Sequence, residues 1–198
     1  MKNWTTLRKL ICLKRTLGGG GLPEGYNRVP GLTLKNARYV ITGFFLTGEN
    51  TLRFRAGGAS GNWIGAYNDA SADDNFSFYG ATSATAKYAR YNGQVGGSSI
   101  VIGTWYDVEI SPTGVSGIRN PSTFTPATFT CSIPLCIGAT SPTGTAASNV
   151  SFEGHIDIPG RLRLIPCERV SDGVLGWHDG TNFYEPIIES GGEVTVLS

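Results

Sequence analysis

The sequence predicts an all-β fold, an antiparallel β-sandwich. Its 198 residues include 28 glycines and 11% aromatic side chains, whereas charged residues make up only 16%. This composition is typical of many short strands joined by tight turns, and it gives little support to long helices with a polar face. Clusters of Gly, Pro, Asn and Ser separate short apolar segments at intervals of about ten residues, which is the pattern of a sandwich. No window after residue 17 has a helical period.

The predicted strands follow one another from residue 39 onward. The continuous apolar run at 39–46 is expected to form a central strand. At 50–56, Leu52 and Phe54 alternate with Arg53 and Arg55, so one face of this strand should be buried and the other solvated. The polar stretches at 111–128 and 139–149 are expected to be long loops. Further strands are predicted at 63–67, 75–79, 87–91, 98–102, 105–111, 129–138, 150–158 and 161–167, with short ones at 173–179 and 182–184.

Residues 1–21 have a different character and form the first of two predicted regions. Apolar residues recur at helical spacing there, with basic residues between them: Trp4, Leu7, Leu10 and Ile11. Residues 1–17 carry five basic side chains and no acidic one, and four glycines follow as a flexible joint. We therefore predict a short amphipathic helix that anchors a sandwich domain at 22–198. Two alternatives stay open, a basic terminus without a role and a helix that lies on a membrane surface.

Charge and hydropathy exclude several classes of protein. After residue 17 the chain holds 11 basic and 15 acidic residues, so no overall basic surface is expected for nucleic acid. No apolar stretch approaches the roughly 20 residues of a transmembrane helix, and basic residues interrupt the apolar core that a secretory signal needs. We therefore expect no nucleic-acid partner, no membrane span and no export signal. The cysteines are not spaced as zinc ligands and are expected to be buried and reduced: Cys12, Cys131, Cys136 and Cys167.

The two ends of the predicted domain carry a resemblance to a known family. The domain opens on Leu22-Pro-Glu-Gly-Tyr26 and closes on Ile165-Pro-Cys167, Gly173-Val-Leu-Gly-Trp-His-Asp179 and Phe183-Tyr184. In these motifs the chain resembles a concanavalin-A-like (laminin-G-like) jelly-roll family of bacteriophage and bacterial surface proteins, over roughly residues 22 to 190. The resemblance implies a jelly-roll sandwich that binds or decorates a surface, and it leaves the ligand open.

A virus particle is the expected location of such a domain, because virion surface proteins are assembled in the host cytoplasm without an export signal. We expect a non-enzymatic head-fibre, decoration or tail-fibre component of a bacteriophage, whose sandwich adheres to glycans or to the host surface. Residues 1–21 would join it to other virion proteins, and three such segments could pack into a homo-trimer through their apolar faces. The second hypothesis is a carbohydrate-binding or adhesin module on a bacterial cell surface.

Catalysis is not expected. The jelly-roll class includes endoglucanases, whose active-site strand carries Glu-x-Asp-x-x-Glu with two catalytic carboxylates on one face. The nearest match here is His155-Ile-Asp157-Ile-Pro-Gly160, in which only the central Asp157 is retained. Retaining hydrolysis needs two carboxylates, and the use of Glu153 as the second is expected to break the alternation that places both on one face. A degenerate glycoside hydrolase is therefore the third hypothesis.

The predicted ligand-binding residues lie beside polar loops. Sugar sites combine an aromatic platform with carboxylates and amides, and the best aromatic candidates are Tyr67 and Tyr91, the latter followed by Asn92. Other aromatic residues, Trp105 among them, are available, but several must lie in the core. The densest group of oxygen ligands consists of Asp69, Asp73, Asp74 and Asn75. Its spacing is that of an ordinary turn, so no cofactor is expected, and a bound calcium ion is the alternative.

Overall fold

The chain folds into two antiparallel β-sheets packed face to face. The computed structural model describes residues 21–35, 39–68, 73–80, 87–97, 100–142, 149–187 and 192–197. These residues form strands and no helix, so the prediction of an all-β antiparallel sandwich is confirmed. Within the same ranges, no helix is long and apolar enough to cross a membrane. The predicted anchor helix with Trp4, Leu7, Leu10 and Ile11 lies outside the described residues.

The larger sheet has eleven strands and the smaller sheet has six. The larger one contains β1 (Tyr26–Arg28), β2 (Gly31–Lys35), β4 (Leu52–Gly58), β9 (Tyr106–Ser111), β10 (Gly114–Ser116), β11 (Ser122–Thr123), β13 (Asn149–Ile158), β14 (Leu162–Arg169), β15 (Val174–His178), β16 (Phe183–Tyr184) and β17 (Glu193–Val196). The smaller one contains β3 (Val40–Ile41), β5 (Gly61–Ala66), β6 (Phe76–Gly80), β7 (Lys87–Tyr91), β8 (Gln94–Gly97) and β12 (Cys136–Ile137).

Strand order places β13 near the middle of the larger sheet. The main path runs β11-β10-β9-β4-β13-β14-β15-β16, while β2 pairs with both β13 and β17, and β1 pairs with β14. The smaller sheet runs β3-β12-β5-β6-β7-β8. The first strands of the chain therefore pair with strands from its last third.

The core lies between the two sheets and follows the predicted alternation. Leu52 and Phe54 of β4 are buried, whereas Arg53 and Arg55 face away from the core, as the sequence predicts. The ring of Phe54 meets Phe78 of the smaller sheet edge-on, with centroids 5.8 Å apart. Burial of a side chain of this size contributes about 1.5–3 kcal/mol. The alternating pattern of β4 thus fixes which face of the larger sheet is left for solvent.

A bulge interrupts β13 where its neighbour changes. On one side β13 pairs with β4 throughout, but on the other side it pairs first with β2 and then with β14. The four steps from Glu153 to Asp157 span only two on β4, so β13 carries two extra residues there. Gly154 adopts φ +69°, which favours glycine, and its N–H donates to the carbonyl of Pro30 (2.7 Å). The bulge lets one strand serve two successive partners.

Four predicted elements differ from the structure. The run at 39–46 is not a central strand, because only β3 is formed and it lies at the edge of the smaller sheet. Gly43 takes φ +71°, which interrupts regular strand geometry just after β3, and Phe45 is 48% exposed. The predicted strand at 129–138 is reduced to β12, and the described residues at 100–102 form no strand. Conversely, the predicted loop at 111–128 contains β10 and β11.

The three described cysteines confirm the prediction of buried, reduced thiols. Cys131, Cys136 and Cys167 are all buried and none forms a disulfide. Burial raises the pKa of Cys131 and Cys136 to about 12 and that of Cys167 to about 11. These side chains therefore act as small apolar groups of the core.

Candidate functional site

Most of the loop residues predicted to bind a ligand come together at one end of the smaller sheet, where they hold one another. The N–H of Asn68 donates to Oδ1 of Asn75 (2.8 Å), and the N–H of Asn92 donates to the carbonyl of Asn75 (2.8 Å). The N–H of Asp74 donates to Oδ1 of Asn92 (3.3 Å). Asp74 and Asn92 both adopt positive φ, 62° and 46°, which Asp and Asn tolerate better than most residues. These side chains stabilise a pair of adjacent turns.

Asp73 is more accessible than the other described residues of this group. Asp73 is exposed, and Tyr67 is half-buried. The guanidinium of Arg90 lies 4.3 Å from the ring centroid of Tyr67 and donates to its hydroxyl (3.1 Å), so Arg90 covers one face of the ring. Asp69 lies outside the described residues, and the calcium hypothesis stays a prediction. Among the side chains that the structure describes, no group of three or more His, Cys, Asp or Glu could hold a metal ion.

Tyr91, which was predicted to face a ligand, is a core residue. Its side chain is fully buried, and its ring stacks on Phe124 with centroids 5.6 Å apart. Its hydroxyl donates to the carbonyl of Gly48 (2.6 Å) and accepts the N–H of Ala127 (3.1 Å). Asn75 is also fully buried. The prediction for Tyr91 is therefore corrected. A strand residue next to a polar turn still follows the alternation of its strand, and Tyr91 falls on the inward side of β7.

The outer face of the larger sheet, which faces away from the core, carries a different candidate site. Trp105 is 36% exposed there, and a Cβ on Gly57 would lie 3.4 Å from its indole ring. The same Cβ would lie 2.9 Å from the carbonyl oxygen of Thr104, so the absence of a side chain at Gly57 lets the indole pack closely over β4. A shallow pocket of about 310 Å³ lies beside the indole, and we name five of its lining residues the aromatic shelf: Gly57, Gly58, Trp105, Asn149 and Ser151. Its other lining residues are Ala59, Ile102, Gly103 and Thr104. The amide of Asn149 and the hydroxyl of Ser151 add polar groups at its edge.

A charged groove of about 600 Å³ continues the same outer face. Arg55 on β4 pairs with Asp107 on β9 (2.7 Å) and with Glu153 on β13 (2.5 Å). The hydrogen bond to Glu153 is the largest cause that raises the pKa of Arg55. The guanidinium of Arg55 also lies 5.8 Å from the ring centroid of Trp105, so this residue joins the groove to the shelf. The ionisable side chains that define the charged groove are Arg53, Arg55, Asp107, Glu109, Glu153, His155, Asp157 and Arg163.

A second row of charges crosses the sheet two residues before Arg55 on β4. Arg53 donates to Oε2 of Glu109 on β9 (2.6 Å), and Arg163 on β14 donates to Oδ1 of Asp157 on β13 (3.2 Å). The strand register places Arg53 between Glu109 and Asp157, so acids and bases alternate over four neighbouring strands. Exposed ion pairs contribute only about 0–1 kcal/mol each to stability. These ion pairs therefore contribute little to the stability of the fold.

The bulge in β13 leaves three ionisable side chains on the same face. Glu153, His155 and Asp157 all line the groove, so the expectation that use of Glu153 breaks the alternation is wrong. The extra residues are accommodated at Gly154, and the alternation then resumes. Burial lowers the pKa of His155, and the positive charge of Arg163 lowers it further against the opposing effect of Asp157. His155 is therefore mainly neutral at pH 7.

The sequence contained part of the signal for this site. Arg53 and Arg55 alternate with apolar residues in one predicted strand, and Asp107 and Glu109 do so in another. Such alternation predicts two solvated faces, but it does not reveal that the strands are neighbours and that the charges pair. Trp105 had no feature that distinguished it from the aromatic residues of the core.

Comparison with known proteins does not indicate a function for this surface. No family model matches the chain, and no curated protein or solved structure matches it. The function of the outer face therefore has to be inferred from its own residues.

Proposed function

We propose that this protein is a non-enzymatic glycan-binding sandwich and that the outer face of its larger sheet is the binding surface. The observation that carries the proposal is the half-exposed indole of Trp105, which packs against Gly57 and lines the shallow pocket of the aromatic shelf. A sugar ring has an apolar C–H face that packs on an aromatic ring, while its hydroxyls need polar partners at the edge. Asn149 and Ser151 line the same pocket and carry polar groups of this kind.

The charged groove supplies further partners for hydroxyl groups. A sugar hydroxyl is both a donor and an acceptor, so it can accept from a guanidinium and donate to a carboxylate. Arg55 with Asp107 and Glu153 offers both kinds of partner next to Trp105. Hydrogen bonds to charged groups are stronger than those between neutral groups. The groove thus suits a ligand rich in hydroxyls.

The absence of catalysis is part of the proposal. A retaining or inverting glycosidase needs a protonated carboxyl group that donates to the glycosidic oxygen. The four carboxylates of the charged groove instead accept hydrogen bonds from arginines, as with Asp157 and Arg163 (3.2 Å) or Glu109 and Arg53 (2.6 Å). Carboxylates that accept hydrogen bonds in this way are suited to binding a ligand.

The resemblance of the end motifs supports a place for this domain on a bacteriophage particle, as a head-fibre, decoration or tail-fibre component. Residues 1–21 would attach it to other virion proteins, and the outer face would adhere to the host surface. The alternative is an adhesin on a bacterial cell surface, which would use the same outer face. Deletion of residues 1–17 tests the attachment: the truncated protein should stay soluble but no longer join particles, and incorporation at the normal copy number would refute this part.

A glycan array tests the binding function directly. The wild-type protein should bind a defined subset of glycans, and Trp105→Ala should lower the affinity for them about 5- to 30-fold, the effect of losing one central aromatic contact. Phe45→Ala is the matched control, because Phe45 is an exposed aromatic residue outside the shelf and the groove. A wild-type protein that binds no glycan, or a Trp105→Ala variant that binds as tightly as the wild type, would refute the proposal.

A further inference from the structure

The charge balance of the outer face indicates which glycans it accepts. The charged groove holds three arginines against four carboxylates, and His155 is mainly neutral, so the net charge is close to −1. All three arginines already pair with carboxylates, at 2.5 to 3.2 Å. An anionic sugar would have to displace a carboxylate from its arginine and then lie beside the displaced charge. A neutral sugar needs no such displacement, since its hydroxyls can use the remaining N–H groups and lone pairs.

The length of the outer face indicates that more than one sugar ring is bound. Gly57 in the shelf and Arg53 in the groove are separated by four steps along β4, which is about 13 Å at the rise of a strand. Arg55 lies between them and contacts both regions. The side chains on one face of a strand are about 7 Å apart, so a single ring on Trp105 cannot also touch Arg53. A ligand that uses the shelf and the whole groove must be an oligosaccharide.

We propose that the outer face binds a neutral oligosaccharide of about three rings, which lies along β4 with one ring over each of its outward positions. The first ring rests on the aromatic shelf beside Gly57, the second lies over Arg55 and the third over Arg53. This inference rests on the proposed function, because it specifies the ligand of the same surface.

The same glycan array, read at low and at high salt, separates this inference from the proposed function. We expect the strongest signals from neutral glycans of three or more rings, and we expect these signals to be insensitive to salt, because no net charge is neutralised on binding. Strongest binding to sialylated, sulfated or uronic-acid glycans would overturn the inference and leave glycan binding itself intact. Binding to displayed monosaccharides that is as strong as binding to longer glycans would also overturn the inference and leave glycan binding itself intact. An array without any signal would overturn both.

Two variants then test the placement of the rings by calorimetric titration with the best array ligand and with the monosaccharide at its end. Trp105→Ala should weaken both ligands. Arg53→Ala should weaken the oligosaccharide about tenfold, as expected for the loss of a hydrogen bond to a charged group, and leave the monosaccharide unchanged. Arg169→Ala is the control, since Arg169 makes a comparable ion pair with Asp172 (2.6 Å) outside the shelf and the groove. Equal effects of Arg53→Ala on both ligands, or no effect on either, would overturn the proposed path along β4.

Discussion

Replacement of Tyr91 with phenylalanine removes one buried hydroxyl and keeps the aromatic packing. The ring of Tyr91 stacks on Phe124 and meets Phe129 edge-on, and a phenylalanine can keep both contacts. The lost hydroxyl donates to the carbonyl of Gly48 (2.6 Å) and accepts the N–H of Ala127 (3.1 Å). Two backbone groups therefore lose a partner in the interior, and an unsatisfied buried group costs about 1–3 kcal/mol.

The expected loss of stability is about 2 kcal/mol for Tyr91→Phe. For a protein of this size each kcal/mol shifts the melting temperature by about 2–4 °C, so the variant should melt about 4–8 °C below the wild type. Urea denaturation followed by tryptophan fluorescence should give the same loss with an unchanged m value. Glycan affinity should stay as in the wild type, because Tyr91 is fully buried.

Tyr67→Phe is the matched control for this measurement. The hydroxyl of Tyr67 accepts from Arg90 (3.1 Å) on a half-buried side chain, where water replaces the lost partner. Its removal should cost less than about 0.5 kcal/mol. A Tyr91→Phe variant that melts with the wild type would refute the hydrogen-bond assignment. A variant that keeps its melting temperature but loses ligand would restore Tyr91 as a binding residue.

Three further predictions concern protonation, the bulge and the thiols. Burial lowers the pKa of His178, whose Nδ1 accepts the N–H of Gly180 (2.8 Å). The unfolded state therefore binds a proton at this histidine more readily than the folded state does. The free energy of unfolding should fall as the pH drops below about 6.5. A His178→Gln variant should show a weaker pH dependence in urea titrations between pH 7 and 5, and an unchanged dependence would refute the assignment. Gly154→Ala and Gly160→Ala place alanine at φ +69° and +71°, with open space around the new Cβ. Each substitution should lower the free energy of unfolding by about 1–2 kcal/mol because of backbone strain. Only Gly154→Ala should change glycan affinity. In a Cys12→Ser background a thiol reagent at pH 8 should label no cysteine of the native protein and three after denaturation, and native labelling would contradict the burial of Cys131, Cys136 and Cys167.

Local periodicity predicted the parts of the fold in which one face is buried. The alternation of Leu52 and Phe54 with Arg53 and Arg55 gave both the strand β4 and its orientation. The run at 39–46 misled because apolar composition indicates burial and does not indicate pairing. Gly43 at φ +71° interrupts regular strand geometry there, and a glycine in a sequence does not reveal its own φ.

The candidate site was harder to predict than the fold because it depends on which strands are neighbours. Asp107 and Glu153 are almost fifty residues apart and both meet Arg55, and only the sheet order brings them together. The loop prediction did find turns, but the side-chain oxygens of Asn75 and Asn92 accept backbone N–H groups and hold those turns. Tyr91 and Trp105 are both aromatic residues near polar turns, but Tyr91 falls on the inward side of β7, whereas Trp105 precedes β9 and stays partly exposed.

The position of β13 in the chain sets the order in which the protein can assemble during synthesis. This strand pairs with β2 and β4, yet roughly 110 residues separate it from β2. At ribosomal speeds of about 5–20 residues per second, β2 leaves the ribosome about 5 to 20 s before its partner. During that interval the backbone N–H and C=O groups of β2 and β4 that later pair with β13 are open to neighbouring chains. Chaperone supply and synthesis temperature should therefore control the soluble yield more strongly than the stability of the finished sandwich does.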